Sequence, residues 1–104
     1  MSFKEHTRGE IAKNYIINYL LSRDYEVLQE GTSQGLIDLV GVNPDTGQVY
    51  FIDCKSLSRR ANGTRVNRVL KPAQKDLQDK VGIPFIIAYA DSETGNVEIP
   101  KLGV

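Results

Sequence analysis

An α/β fold, with helices on either side of a small mixed sheet, is what this sequence predicts. Three observations carry the prediction. Residues 5–22 place apolar side chains at helical spacing. Residues 25–55 hold three short strand-like runs, with a Pro-Asp-Thr-Gly turn between the second and third. Residues 71–90 read as a helix bounded by Pro72 and Gly82, followed by a nearly unbroken apolar run.

In the first helix Ile11, Ala12, Tyr15, Ile16, Tyr19 and Leu20 follow the i, i+3, i+4 rule, and Ile17 and Leu21 widen the stripe. Thr7 is offered as its N-cap, with Glu10 at capping-box spacing; "SFKE" repeats the pattern one turn earlier. "YEVLQE" (25–30) is a short strand, and "GTSQG" (31–35) a loop. "LIDLVGV" (36–42) is a second strand that is apolar except for Asp38. "NPDTGQ" (43–48) has the turn chemistry to join it, as an antiparallel hairpin, to "VYFIDCK" (49–55).

Residues 56–70 are polar, basic and weakly periodic, the pattern of a long loop. Pro72 at the start of the second helix and Gly82 at its end show the usual asymmetry. "IPFIIAYA" (83–90) is an interior strand, and "DSETGNVEI" (91–99) turns back into a last short one.

The 104 residues fit one domain, and so short a chain buries one core and little else. A large substrate must therefore lie on its surface. Formal net charge is zero, which argues against a cationic coat over the whole molecule. The charges are unevenly spread. From Cys54 to Lys75 there are seven basic residues and no acidic one: Lys55, Arg59, Arg60, Arg65, Arg68, Lys71 and Lys75. Such a patch can bind a polyanion on a neutral protein, or be no more than a solvated loop. A lone cysteine, Cys54, implies a reducing compartment. With no long apolar run and no signal-peptide pattern, the expectation is a soluble cytoplasmic protein without membrane attachment.

The third strand poses the chemical question. Asp53 and Lys55, two residues apart, aim a carboxylate and an ammonium from the same face. If the hairpin closes at "PDTG", Asp38 lies across from Asp53. Two carboxylates about 4 Å apart repel by about 4 kcal/mol at an effective dielectric near 20. A divalent cation would offset that repulsion, and hard oxygen ligands suit Mg²⁺. The Cys54 main-chain carbonyl is a further oxygen ligand on the same stretch. Metal, lysine and basic loop together outline a site for phosphodiester hydrolysis.

"GLIDLV", a turn, then "FIDCK" resembles the PD-(D/E)XK nuclease superfamily. The family's restriction-endonuclease-like α-β-β-β-α-β core matches the order above over nearly the whole chain. The resemblance implies that Asp38 is the first acidic motif residue and that Asp53 and Lys55 are the (D/E)-x-K pair. It further implies that Glu10 adds a metal or water ligand and that Gln74 matches a glutamine common in the virus-type replication-repair (VRR-NUC) group. The catalytic set implied is Asp38, Asp53, Lys55, Glu10 and Gln74. The metal ligands are Asp38, Asp53, Glu10 and the Cys54 carbonyl, with Mg²⁺ as cofactor and Mn²⁺ able to substitute.

The layout "RGE…GLIDLV…IDCK…Q" is similar to stand-alone VRR-NUC domains and archaeal-type Holliday junction resolvases, which cut branched DNA as dimers. The implied function is a Mg²⁺-dependent, structure-specific endonuclease of DNA recombination and repair, working as a homodimer on branched or double-stranded DNA. Arg59, Arg60, Arg65, Arg68 and Lys71 would meet the phosphates. A flap or sequence-specific duplex endonuclease fits the same residues, as does a DNA-binding module without catalysis. Two departures stand out: Asp53 where these groups more often have Glu, and no proline before Asp38.

Simpler readings compete at several positions. Glu10 could serve only the capping box with Thr7, Gln74 could face solvent, and Lys55 could serve only a structural ion pair. Cys54, on the face opposite Asp53, fits the core better than it fits a nucleophile.

Overall fold

The structure, a computed structural model, describes residues 3–29 and 35–104. The element order is α1 (Phe3–Ser22), β1 (Glu26–Gln29), β2 (Leu39–Val42), β3 (Val49–Ser56), α2 (Pro72–Val81), β4 (Phe85–Ala90) and β5 (Val97–Glu98), closed by a 3₁₀ turn at Pro100–Leu102. One mixed sheet runs β1-β2-β3-β4-β5. Only the β3–β4 pair is parallel, as its crossover through α2 requires. The expected α/β sandwich is present, and β2 and β3 form the expected antiparallel hairpin.

The two faces of the sheet differ in chemistry. α1 lays Ala12, Ile16 and Leu20 on one face, against Leu39, Ile52, Ile86 and Ala88, all nearly inaccessible to solvent. Cys54 and Tyr50 pack at the margin of this cluster. Side chains alternate along β3, so Phe51, Asp53 and Lys55 point to the opposite face, the side of α2. That face is sparsely apolar: Phe51 meets Phe85 edge-on with ring centroids 5.7 Å apart, and Gln74 is the buried residue of α2.

Two local expectations change. α1 already runs from Phe3, so Thr7 lies inside the helix and is not its N-cap. β2 begins at Leu39, so Leu36 to Asp38 precede the strand. The reason lies in Asp38 itself, whose side chain takes a ladder donor of β3. The loop expected over 31–35 falls outside the described residues except for Gly35, as does Glu30 of the first expected strand. The segment after β3 is irregular, as expected, but ordered. Arg59 bridges Arg65 across a tight turn in which Arg60 N–H donates to the Thr64 carbonyl at 2.8 Å.

α1 ends where Asp24 turns left-handed (φ 64°). Tyr25 N–H then donates to the Leu20 carbonyl at 3.1 Å, and Asp24 N–H to the Leu21 carbonyl at 3.0 Å. This is a Schellman cap with an aspartate where glycine is favoured. Asp24→Gly removes the steric cost of that conformation and is expected to raise unfolding stability by about 1 kcal/mol in urea denaturation. An equal or lower stability would refute this reading of the cap.

Candidate metal and phosphodiester site

The site forms where β2 begins. Leu39 pairs with Ile52, so Asp38 stands beside Asp53, one step beyond the ladder. Asp38 Oδ2 accepts the Cys54 N–H at 2.8 Å, and Asp38 N–H donates to the Ile52 carbonyl at 3.0 Å. Both bonds fix Asp38 next to Asp53 in the β2–β3 register. In a strand a residue's N–H and C=O leave on the same side. The Cys54 carbonyl therefore faces the Asp38 edge, as its N–H does.

Asp53 is 6% exposed. Gln74 Nε2 donates to its Oδ2 at 3.3 Å, and Lys55 Nζ stands 3.5 Å from the same oxygen. Gln74 is itself well held. Its Oε1 accepts the Lys71 N–H at 2.8 Å, closing the start of α2, and its Nε2 also donates to the Leu36 carbonyl at 3.1 Å. A solvent-facing Gln74 is thereby excluded. One glutamine links the start of α2, the approach to β2 and the Asp53 carboxylate.

Burial first, and then the proton it can share with Asp38, push the Asp53 carboxyl above the ordinary carboxylate range; Lys55 and Gln74 offset part of this. Two carboxyls pressed together around shared space, with one lysine beside them, are short of positive charge. That fits a divalent cation held by oxygen donors. Mg²⁺ is commonly bound through one or two carboxylates and keeps several waters, so Asp38, Asp53 and the Cys54 carbonyl make a chemically sufficient set. Burial also pushes the Cys54 thiol up, and Asp38 and Asp53 add to the effect. The thiol stays protonated and belongs to the core face.

The residues expected at the site are thus partly gathered. Asp38, Asp53, Lys55 and Gln74 are brought together. Glu10 is exposed on α1, the helix that covers the other face of the sheet. Among the described residues no three of Asp, Glu, His and Cys converge on one point. The first turns of α1 do reach this end of the sheet, where Ser56 Oγ donates to the Arg8 carbonyl at 3.3 Å.

The basic segment is only partly available. Arg59 and Arg65 both bind the Glu98 carboxylate of β5, Arg59 at 2.6 Å. Burial opposes ionisation of Glu98, but the two guanidiniums outweigh it and hold its carboxyl below the usual range. Arg65 also lies over the Tyr89 ring at 5.0 Å, and Tyr89 Oη accepts the Arg68 N–H at 2.8 Å. Among the described residues, Arg60, Arg68 and Lys71 have no carboxylate partner. Sequence reasoning missed Glu98 and Tyr89 because their partners lie far away along the chain. A glutamate inside "VEI" carries no local sign of its role.

Compared with known proteins, the chain matches no family model and no curated sequence. Among solved structures it is similar to a bacterial homing endonuclease, I-Ssp6803I, with a TM-score of 0.60 and 18% identity. The likeness covers 94% of this chain and 64% of that one, so the chain spans less than two thirds of its neighbour's length. It establishes a shared fold. No helix among the described residues is long and apolar enough to cross a membrane.

The raised Asp53 carboxyl has a consequence for stability. A group whose folded pKa exceeds its unfolded one stabilises the fold below the unfolded value, and that contribution is lost as pH rises through the folded value. In chelator at pH 7, Asp53→Asn is therefore expected to stabilise the protein by about 1–2 kcal/mol. Saturating Mg²⁺ should raise the melting temperature of the wild type, by about 2.7 kcal/mol of stability at a hundred times Kd, and leave the variant unmoved. Calorimetry with and without chelator reads both effects; a destabilised variant, or a variant that responds to Mg²⁺ as the wild type does, contradicts the site.

Proposed function

We propose that the protein is a metal-dependent DNA endonuclease, acting on branched DNA. The observation that carries this reading is the side-by-side placement of Asp38 and Asp53 across the β2–β3 boundary, with Lys55 Nζ 3.5 Å from the Asp53 carboxylate. The fold shared with a protein described as a homing endonuclease supports it, as does the acid-free basic run between Cys54 and Lys75.

In this reading Asp38, Asp53 and the Cys54 carbonyl hold Mg²⁺, with Mn²⁺ as substitute. A cation bound there supplies Lewis acidity to a phosphate oxygen and to water. The chain does the rest by positioning. Gln74 fixes the Asp53 carboxylate. Lys55, a third exposed, carries its ammonium from the buried carboxylate toward solvent, where it meets the charge that builds on the phosphate. Glu10 enters as a water-mediated ligand from the first turns of α1. Arg60, Arg68 and Lys71 hold the flanking phosphates, whereas Arg59 and Arg65 shape the segment through Glu98.

In our reading the chain is a PD-(D/E)XK nuclease, akin to the VRR-NUC and junction-resolving types, a reading that the motifs around Asp38, Asp53 and Lys55 support. A four-way junction has twofold symmetry and needs two matched cuts, which a C2 homodimer supplies. A second reading, cleavage of a specific duplex sequence, is favoured by the likeness to a homing endonuclease.

Labelled four-way junction, flap and linear duplex distinguish these readings. The expected result is paired nicks near the branch point in Mg²⁺, none in chelator, and a rate lowered roughly 100-fold or more by Asp53→Asn. Cutting of linear duplex at one sequence selects the second reading; binding without cutting in either metal refutes both. Phosphate contacts are read separately from the salt dependence of binding. Arg60→Ala and Arg68→Ala should each lower the salt slope by about one, whereas Arg59→Ala should lower it less. An Arg59 effect equal to the other two would mean that Glu98 does not occupy it.

A further inference from the structure

One cavity has no role in the cleavage chemistry described so far. It measures about 450 Å³ and lies between β4, the segment 65–70, the start of α2 and the 3₁₀ turn. Its floor is the site-bearing face of the sheet. In the parallel register Ile87 stands beside Asp53 and Tyr89 beside Lys55. Adjacent strands are about 4.8 Å apart, so the cavity opens one strand away from the carboxylates.

The lining combines two chemistries. Phe85 and Ile87 give an apolar floor, and Val69, 81% exposed, is the most exposed large hydrophobic side chain among the described residues. Around them stand Arg68, Lys75 and Lys101, none with a carboxylate partner among the described residues, and no acidic residue lines the cavity. Cations at the rim ask for an anion, and an apolar floor asks for a flat, poorly hydrated body. A nucleotide is both. The volume falls in the range of pockets for small molecules, and no base-paired duplex enters a space of that size.

We propose that this cavity receives one unpaired nucleotide of the DNA strand held at the Asp38–Asp53 site. The base rests on Ile87 beneath Val69, and its phosphate meets Lys75 and Lys101. The inference rests on the reading of that site as a DNA-cleaving one, and it deepens that reading: the preferred substrate carries an unpaired nucleotide next to the bond that is cut. Asn67, at the rim, offers an amide to the base edge.

The test is binding in chelator, where no cleavage occurs. Thymidine 5′-monophosphate and inorganic phosphate are titrated into ¹⁵N-labelled protein. Saturable shifts at Val69, Ile87 and Tyr89 are expected, with the nucleotide bound about tenfold tighter than phosphate. A blunt duplex is then compared with the same duplex carrying a three-nucleotide single-stranded overhang. The overhang should bind about tenfold tighter. Ile87→Trp, which fills the cavity, and Lys101→Glu, which reverses an exposed rim charge, should each erase both preferences. If Ile87→Trp does not fold, Lys101→Glu alone decides.

Equal affinity for nucleotide and phosphate, or for overhang and blunt duplex, overturns the proposal. A protein that shows both preferences yet cuts nothing in Mg²⁺ supports the pocket and refutes the cleavage reading. One that cuts blunt duplex and shows neither preference refutes the pocket and supports cleavage.

Discussion

The Cys54 N–H donates to a carboxylate at a point where a longer β2 would have offered a carbonyl. Much of the site follows from that exchange. By taking the ladder donor, the Asp38 side chain ends β2 at Leu39 and is itself locked in place. Because the next rung back pairs Leu39 with Ile52, the locked side chain stands beside Asp53 and helps to raise its pKa. The pair is costly: one carboxyl is almost wholly buried and its neighbour has the same charge. Folding tolerates it because Gln74 and Lys55 each contribute a donor to Asp53. The compensation is incomplete, and the direction in which the Asp53 pKa moves records this. That shortfall of positive charge is what the proposed cation would make good.

The division of labour between the faces explains how so short a chain can carry such a strain. Nearly all of its apolar burial is concentrated where α1 covers the sheet, in a cluster from Ala12 to Ile99. The other face buries fewer apolar side chains, chiefly Phe85 and Tyr89, beside the polar Asp53 and Gln74. It can hold charges and space because stability does not depend on filling it. Gln74 joins this face together, since the amide that steadies Asp53 also closes the start of α2 and holds the chain just before Asp38.

Much of this was legible in the residues. The helical stripe of α1, the turn between β2 and β3, and the Pro72 and Gly82 brackets of α2 are local signals, and each element appears within a few residues of its expected place. The Asp38–Asp53 apposition could be read because a hairpin with a known turn fixes its register. What was not legible has two physical causes. Side chains that replace backbone partners move boundaries, as Asp38 does at β2. Contacts between distant segments leave no trace in a local window. The run from Cys54 to Lys75 reads as uncompensated positive charge, yet β5 returns Glu98 to two of its arginines. Gln74 could be assigned only by resemblance, because helical spacing alone allowed it to face solvent.

That return of Glu98 changes how the charge of the molecule should be understood. A chain with zero formal charge can attract a polyanion only if its cations are grouped and its anions are kept elsewhere or already engaged. Here one glutamate engages both Arg59 and Arg65, offsets one of their two charges, and ties to β5 a turn that its own backbone hydrogen bonds already close. The cations that remain without a carboxylate partner among the described residues, Arg60, Arg68, Lys71 and Lys75, lie along the start of α2 and the segment before it. The carboxylates themselves would repel a phosphate. In the proposed reading, a cation held there would remove that repulsion where the bond is cut, and the free arginines and lysines would attract the strand on either side of it. Attraction and chemistry are thus divided between different residues. On that reading the acidic pair would stay buried and short of charge until metal and phosphate bind.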